Sequence, residues 1–569
     1  MIFSGLEFLF LYLPAAIIIY FLIPAKFKNI SRMKAQISHR QENFPMFAGG
    51  VRTFICGLCK KAIFAYTAAS VFLYIKALPE GDITVAGAWL GLFFFGLYVY
   101  FEISGYLDMA LGLGKMFGFY LPDMGRVYLW ALTLFGFLIF AFEDMRKGFS
   151  YFGRLFGFSV KGLIDRGTIY DILRYLPFLI PAIIGCTPLP KKFFYKFTAG
   201  QAAKTAFYAV SAALLFICAA FLVDSGSAAF LPDSVRDYFA DVKVRFSYAF
   251  MQNENKGVVI AKDGYLIPRF DIYSDKSIAE KSFDELGGNL TFGENMTNIK
   301  NNCAYINEFA ENINGLFPEV QITFASPPRK IDAMTNKLPI LFPADRHEKY
   351  FLELEKYINP KIYCSLLDIM KSHNEQYIYY KTDHHWTTLG AYCAYFALGE
   401  KMGYEPLPAD DFIIETATED FYGVIWPKAG AKWIKPDKIE YYKTENEDNI
   451  YVTSIHTANE PIVLEGFYDR EKLGTKDKYA SFLGGINSHI SVAARSFGAR
   501  KKLLLIADSF GQSLAPFLAR HYDLEIIDTR FFNDNIRDFI AEYNITDILI
   551  LVNMENFSTQ NNLVKLMRK

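Results

Sequence analysis

Hydrophobic and polar positions divide this chain into two unlike halves. Up to about residue 225 the apolar residues run on with few interruptions, and beyond it they come in short runs and helical stripes between polar turns. Five of the long runs approach or reach the ~20 residues that cross a bilayer. They are "FLFLYLPAAIIIYFLI" (Phe8 to Ile23), "AIFAYTAASVFLYI" (Ala62 to Ile75), "ITVAGAWLGLFFFGLYVYF" (Ile83 to Phe101), "VYLWALTLFGFLIFAF" (Val127 to Phe142) and "AFYAVSAALLFICAAFLV" (Ala206 to Val223). A sixth, "YLPFLIPAIIGC" (Tyr175 to Cys186), is shorter. The pattern predicts an all-α polytopic membrane region of about six spans over residues 1–225, then a helical stalk over 226–255. The start of the chain does not read as a cleavable signal, because its apolar stretch is long and no basic residue precedes it.

In the later half, "GVVIAKDGYLI" (Gly257 to Ile267) predicts two strands around the turn Asp263-Gly264, and "EVQITFA" (Glu319 to Ala325) a buried strand. "MTNIKNNCAYINEFAENING" has helical spacing. Near the end come the strand "KKLLLIAD", a turn and helix in "SFGQSLAPFLARHY", strand "LEIID", helix "NDNIRDFIAEYN" and strand "ITDILILV". Continuous apolar strands alternating with helices predict an α/β/α layer structure on a parallel sheet over residues 256–569. Sites in such sheets lie at the carboxyl ends of strands, where Asp508, Ser509, Asp528 and Asn553 fall.

Lysine and arginine in short loops give the orientation. Lys26, Lys28, Arg32, Lys34 and Arg40 follow the first span, and Lys191, Lys192, Lys196 and Lys204 precede the last, so both loops should be cytoplasmic. Six spans then leave the later half extracytoplasmic, although Arg146, Lys147, Arg154, Lys161 and Arg166 disagree with that count. Across 569 residues, 59 basic side chains balance 60 acidic ones, which gives no basic face for a nucleic-acid partner. The 7 cysteines suggest no disulfide framework, and Cys56 and Cys59 lack the second pair that a metal knuckle needs.

The chemistry concentrates in "YIYYKTDHHWTTLGAY" (Tyr377 to Tyr392), which packs Asp383, His384, His385 and Trp386 together in a chain with only 8 histidines. In an extended segment Asp383 and His385 share a face and His384 points away, which sets a carboxylate beside an imidazole as a nucleophilic triad requires. Trp386 would shield the pair from water, and Thr387 or Thr388 would cap the helix that follows. Ser509 lies on a strand-to-helix turn, where the first free helix N–H groups can hold an oxyanion. Read alone, "ADSF" favours a helix-capping serine over a nucleophile. A metal is not expected, since adjacent histidines rarely chelate one ion and His456, His489 and His521 show no ligand spacing. A purely structural polar cluster remains open on the residues alone.

Two resemblances add to this. "MIFSGLEFLFLYLP", "QISHRQENFPMFAGGVRTFICGLCKKAIFA" and "YFEISGYLDMALGLGKMFGFYLP" (Tyr100 to Pro122) resemble the membrane-bound O-acyltransferase (MBOAT) family, in the branch typified by alginate O-acetylation. By physics alone the last stretch reads as a Gly-rich interfacial segment between two spans. After Leu121-Pro122 the family's long stretch with its catalytic histidine is missing, and His39 is the only histidine before residue 340. The resemblance therefore implies an internally shortened copy that serves as an anchor or acyl-channel remnant. "TDHHW" with the later "DSF", "YASFLGGIN" and "DILILVN" resemble the DHHW family, relatives of the alginate acetylation proteins with an SGNH-hydrolase-like domain. That resemblance implies Ser509 as nucleophile, His385 as base and Asp383 as its orienting acid. Gly485 and Asn487 are implied near the oxyanion site, with Arg530 and His489 as weaker substrate contacts. It also implies a bacterial inner-membrane protein whose C-terminal domain is periplasmic. The expected acceptor is a cell-surface polysaccharide, and no cofactor is expected to be bound. The acetyl group would be supplied by a membrane O-acyltransferase partner.

Overall fold

A computed structural model describes residues 44–76, 83–116, 164–185, 233–269, 292–340 and 345–568, with short gaps at 458–459 and 496–497 and a few isolated positions besides. Two compact units meet in sequence between Gln252 and Asn253.

In the first unit, helix α1 runs over Phe44–Lys76, with a wider π turn at Lys60–Ala65, and α2 over Val85–Met116. Both are long and apolar enough to cross a membrane. They pack closely because glycines face each other at heptad spacing. A Cβ on Gly57 would lie 2.5 Å from the Gly105 carbonyl oxygen, and one on Gly112 would lie 2.5 Å from the Phe54 nitrogen. Backbones that approach this closely exclude any side chain at the contact. Charged side chains of the two helices pair: Lys61 meets Glu102 at 3.0 Å, and Lys60 meets Asp108. The stretch from Tyr100 is thus not a separate interfacial segment between two spans up to Met116, since α2 continues to that residue and its glycines are packing positions. The short run before Cys186 belongs to a helix, α3 (Arg166–Gly185), that begins nine residues earlier than Tyr175 and contains Pro177 and Pro181. The runs at Phe8 to Ile23 and Val127 to Phe142, and most of Ala206 to Val223, lie outside the described residues. Helix α4 (Asp233–Ala249) falls within residues 226–255, where a helical stalk is expected.

The second unit contains strands β1 (Glu254–Asn255), β2 (Val258–Ile260) and β3 (Leu266–Pro268) in a small antiparallel sheet. Its hairpin turns at Asp263 (φ 57°) and Gly264 (φ 78°), as the Asp-Gly pair predicts. The main sheet uses β4 (Gln321–Ala325), β5 (Tyr363–Cys364), β8 (Tyr451–His456), β9 (Ile462–Glu465), β10 (His489–Ala494), β11 (Lys501–Ala507), β12 (Tyr522–Ile527) and β13 (Asp547–Leu551). A separate antiparallel pair is formed by β6 (Ile413–Phe421) and β7 (Asp437–Lys443).

The main sheet has the order β5-β4-β13-β11-β12-β10-β8-β9. From β5 to β12 all pairs are parallel, but β10, β8 and β9 pair antiparallel, so the sheet is mixed rather than parallel throughout. The parallel part is the apolar part: every residue of β13 is buried. The antiparallel wing alternates buried and half-buried positions along β8, the pattern of a sheet with one wetter face.

Helices α5 (Phe292–Leu316), α6 (Asp345–Tyr357), α9 (Ile536–Tyr543) and α10 (Met554–Thr559) bury Ile299, Phe309, Tyr350, Phe539 and Phe557 against Phe324, Ile506 and Ile550 of one face. Between them in sequence, α7 (Thr388–Met402) and α8 (Phe510–Leu518) pack together, α8 also lying against β11 and β12. From β11 the chain moves by α8 to β12 on one side, then by α9 to β13 on the other. This reversal opens a crevice at the carboxyl ends of β11 and β13.

Candidate active site

Ser509 stands at that crevice, between β11 and α8. It occupies the helix N-cap position but makes no side-chain cap bond. Asp508 does so instead, its Oδ1 accepting the Phe510 N–H at 3.1 Å. Its Oδ2 accepts from the Asn553 backbone at 2.9 Å and from the Asn556 side chain at 2.9 Å, which ties the end of β11 to the start of α10. The Ser509 hydroxyl is thereby released from capping, and it lies 2.6 Å from His385 Nε2.

The far nitrogen of His385, Nδ1, lies 2.6 Å from Asp383 Oδ1, so serine, imidazole and carboxylate form one continuous chain of hydrogen bonds. All three side chains are buried. The local geometry differs from an extended strand. Asp383 Oδ1 also accepts the His385 backbone N–H at 3.0 Å, a turn in which the carboxylate reaches forward two residues. His384 therefore does not point to the opposite side. Its Nδ1 lies 3.3 Å from Asp383 Oδ1, and its ring is 3.9 Å from that of His385.

Several groups hold this turn. Asp383 Oδ2 accepts the Val424 N–H at 3.0 Å, and Gly423 is needed beneath it, because a Cβ there would come 2.2 Å from the Asp383 Cβ. Asp437, at the start of β7, accepts the N–H groups of Lys381 and Thr382, each at 2.7 Å, as well as the Thr382 and Tyr377 hydroxyls. The buried Lys330 ammonium donates to the carbonyls of Leu266 at 2.8 Å and of Asp383. Trp386 is fully buried and donates from Nε1 to Ser513 Oγ at 2.8 Å. Thr387 caps α7, accepting the Gly390 N–H, and Gly403 (φ 74°) ends it.

Lys330 and Asp437 carry no motif in the sequence, and Tyr479, the first residue of "YASFLGGIN", has no role that the stretch by itself indicates. The Tyr479 ring stacks on His385 at 4.0 Å and 8°, and its hydroxyl donates to the Ser509 carbonyl at 3.2 Å. Of the other expected residues, Asn487 gives its amide to the Gly485 carbonyl at 3.2 Å, and neither hydrogen-bonds Ser509 among the described residues. Arg530 grips Asp528, with Nε 3.0 Å from each carboxylate oxygen, and lines a neighbouring cavity with Asp508 and Asn556 whose lining includes neither Ser509 nor His385. His489 lies elsewhere, hydrogen-bonded to Glu525.

Protonation follows burial and charge. Burial pushes the His385 imidazole down to about 4, and the charge on His384 pushes the same way. His385 is neutral near pH 7 and free to accept a proton at Nε2. Burial opposes the Asp383 charge, but the two histidines override it and hold the carboxylate well below its usual range. For His384, burial is outweighed by Asp383 and, more distantly, by Glu555, so its pKa is raised.

Residues 343–527 match the DHHW protein family, and the match takes in Asp383, His385 and Ser509. This part of the chain is a DHHW-family domain. Among solved structures, the chain is similar to a DHHW family protein from Eubacterium siraeum (20% identity, TM-score 0.40, covering 55% of this chain and 97% of that one). It is also similar to Bacillus cereus PatB1 with a sulfonyl adduct (18% identity, TM-score 0.42, covering 54% and 98%). The region preceding the DHHW domain is 37% identical over 95 residues to the probable alginate O-acetylase AlgI of Azotobacter vinelandii, 16% of this chain and 19% of the relative. The chain thus spans about a fifth of the length of the curated relatives it matches.

Proposed function

We propose that the DHHW domain is an O-acyltransferase of the O-acetyl type, acting on an exported or cell-surface polysaccharide through an acyl-serine. The observation that carries this reading is the chain of two 2.6 Å contacts from Ser509 through His385 to Asp383. His385 Nε2 takes the Ser509 proton as Oγ attacks the acyl carbonyl, and the Ser509 N–H at the start of α8 is the donor we assign to the oxyanion. The imidazolium then protonates the departing oxygen of the donor and leaves acyl-Ser509. A sugar hydroxyl gives its proton to His385 and takes the acyl group, which restores the serine. Asp383 accepts from His385 Nδ1 throughout and fixes the tautomer. Gly485, Asn487 and Arg530 remain proposed lining residues.

The similarity to an alginate O-acetylase supports the pairing of this domain with acyl transfer to a polysaccharide. We read the membrane region as an anchor without acyl-transfer chemistry of its own, since it lacks the family's histidine. A separate membrane O-acyltransferase would then deliver the acyl group to a periplasmic DHHW domain. The test uses intact mass. The protein incubated with a chromogenic acetyl ester should gain one acetyl group at Ser509, and an oligosaccharide acceptor should discharge it faster than water does. Discharge that ignores every acceptor would make the protein an esterase. No adduct and no turnover would favour a non-catalytic scaffold.

The acidic limb of the pH profile checks the assigned base. Turnover needs neutral His385, so kcat/KM for the ester should hold down to about pH 5 and fall by one proton below it, half lost near about 4. His384→Ala removes a charge that lowers the His385 pKa, so the limb should move to higher pH. An unmoved limb would show that the charge on His384 does not set the His385 pKa.

A further inference from the structure

A second cluster of histidines lies on the antiparallel wing of the sheet. His456 of β8 and His489 of β10 are direct cross-strand partners, and Ser491 of β10 faces Glu525 of β12. The two imidazoles stack at 4.0 Å with an interplanar angle of 6°. His489 Nε2 is 2.8 Å from Glu525 Oε2, Ser491 Oγ donates to the same oxygen at 2.6 Å, and His456 Nε2 is 2.7 Å from Ser491 Oγ. One ligand atom each from His456, His489 and Glu525 falls within 4.8 Å of the others.

We infer that His456, His489 and Glu525 form a binding site for a divalent transition ion, zinc before calcium or magnesium. Two imidazole nitrogens and one carboxylate oxygen are a borderline donor set, which suits zinc and its neighbours rather than the all-oxygen cages of harder cations. An ion there would lie off the nitrogen edges of the two stacked rings, in the ring planes where the lone pairs point, and would draw the three atoms in to the ~2.0–2.2 Å of zinc bonds. Ser491, which already donates to Glu525, orients the carboxylate from outside. Phe539 and Tyr543 of α9 stand edge-on to the His489 ring at 5.0 and 5.5 Å and keep one side of the site dry. His456 remains half-buried, which leaves a fourth position open to water or to a ligand. Bound there, the ion joins β8, β10 and β12, and so ties the antiparallel wing to the last parallel strand. No such site shows in the sequence because its spacing is set by strand register, not by a local motif.

The test takes the full-length protein in detergent, stripped with a chelator, exposed to zinc alone and desalted before elemental analysis. The wild type is expected to retain one more equivalent of zinc than His456→Ala and Glu525→Gln, while His385→Ala retains the wild-type amount. Cobalt in place of zinc should give visible d–d absorption in the wild type that both cluster variants lose. His456 is half-buried, so its replacement leaves the strand core intact. Equal zinc in the wild type and both cluster variants would overturn the inference. So would loss of the ion in His385→Ala alone, which would assign it to the Asp383-His384-His385 turn.

Discussion

Replacement of Ser509 by alanine is expected to abolish acyl-adduct formation and to lower kcat/KM for an acetyl ester by about 10³-fold or more, with His385→Ala close behind. The size of the effect follows from the geometry. The hydroxyl spends its hydrogen bond on His385 and none on capping α8, so its removal costs the nucleophile without unravelling the helix. Asp508 keeps the cap and keeps β11 joined to α10. The thermal midpoint of Ser509→Ala should therefore stay close to that of the wild type. The two groups act as one unit, so the double variant should be no slower than the worse single variant. Kinetics and thermal unfolding on the same four proteins check this. Near-wild-type turnover in Ser509→Ala would remove the acyl-serine from the mechanism.

The second large effect is expected at Asp383. Asp383→Asn should cost about 10³- to 10⁴-fold in turnover with little change in KM. The carboxylate accepts on both oxygens: His385 on Oδ1, Val424 N–H on Oδ2. An asparagine has one oxygen to offer and must turn its amide N–H groups toward one of these donors. If the amide faces His385, it stabilises the tautomer with the proton on Nε2, which cannot take the Ser509 proton. If it faces Val424, two donors are opposed in a buried turn, which destabilises the loop. Steady-state kinetics separate the outcomes from a binding defect, because lost orientation lowers kcat whereas a distorted acceptor site raises KM. A variant with unchanged kcat would show that His385 needs no carboxylate to orient it.

Much of the domain was legible because burial leaves its mark in the sequence, as alternation where one face is covered and as a continuous apolar run where both are. The apolar run of β11 and the run of β13 marked strands covered on both faces, and the turn after Ala507 put Ser509 at a strand end. Asp383 and His385 were paired correctly from their spacing, although a turn rather than a strand brings them together, and so His384 joins them instead of facing away. In the first unit, Gly105 and Gly112 belong to the stretch that reads by sequence as a Gly-rich interfacial segment between two spans, whereas they are packing positions of α2. Helix continuation depends on the partner backbone that those glycines meet.

What the sequence determined by itself was local: which segments are strands or helices, where the apolar runs long enough to cross a bilayer lie, and which residues adjoin the doubled histidine. What only the tertiary structure decided was partnership. His385 and Ser509 lie 124 residues apart, and nothing in either segment specifies that they meet. Lys330, Asp437 and Tyr479 support the site from three further segments, and the contact each makes is set by the fold rather than by its own segment. The antiparallel wing, and with it the meeting of His456, His489 and Glu525, depends on strand order and register. A strand's own residues record how deeply it is buried, because one covered on a single face alternates apolar and polar positions and one covered on both faces is apolar throughout. They do not record which strand lies beside it, because a backbone N–H or C=O pairs equally well with any neighbour.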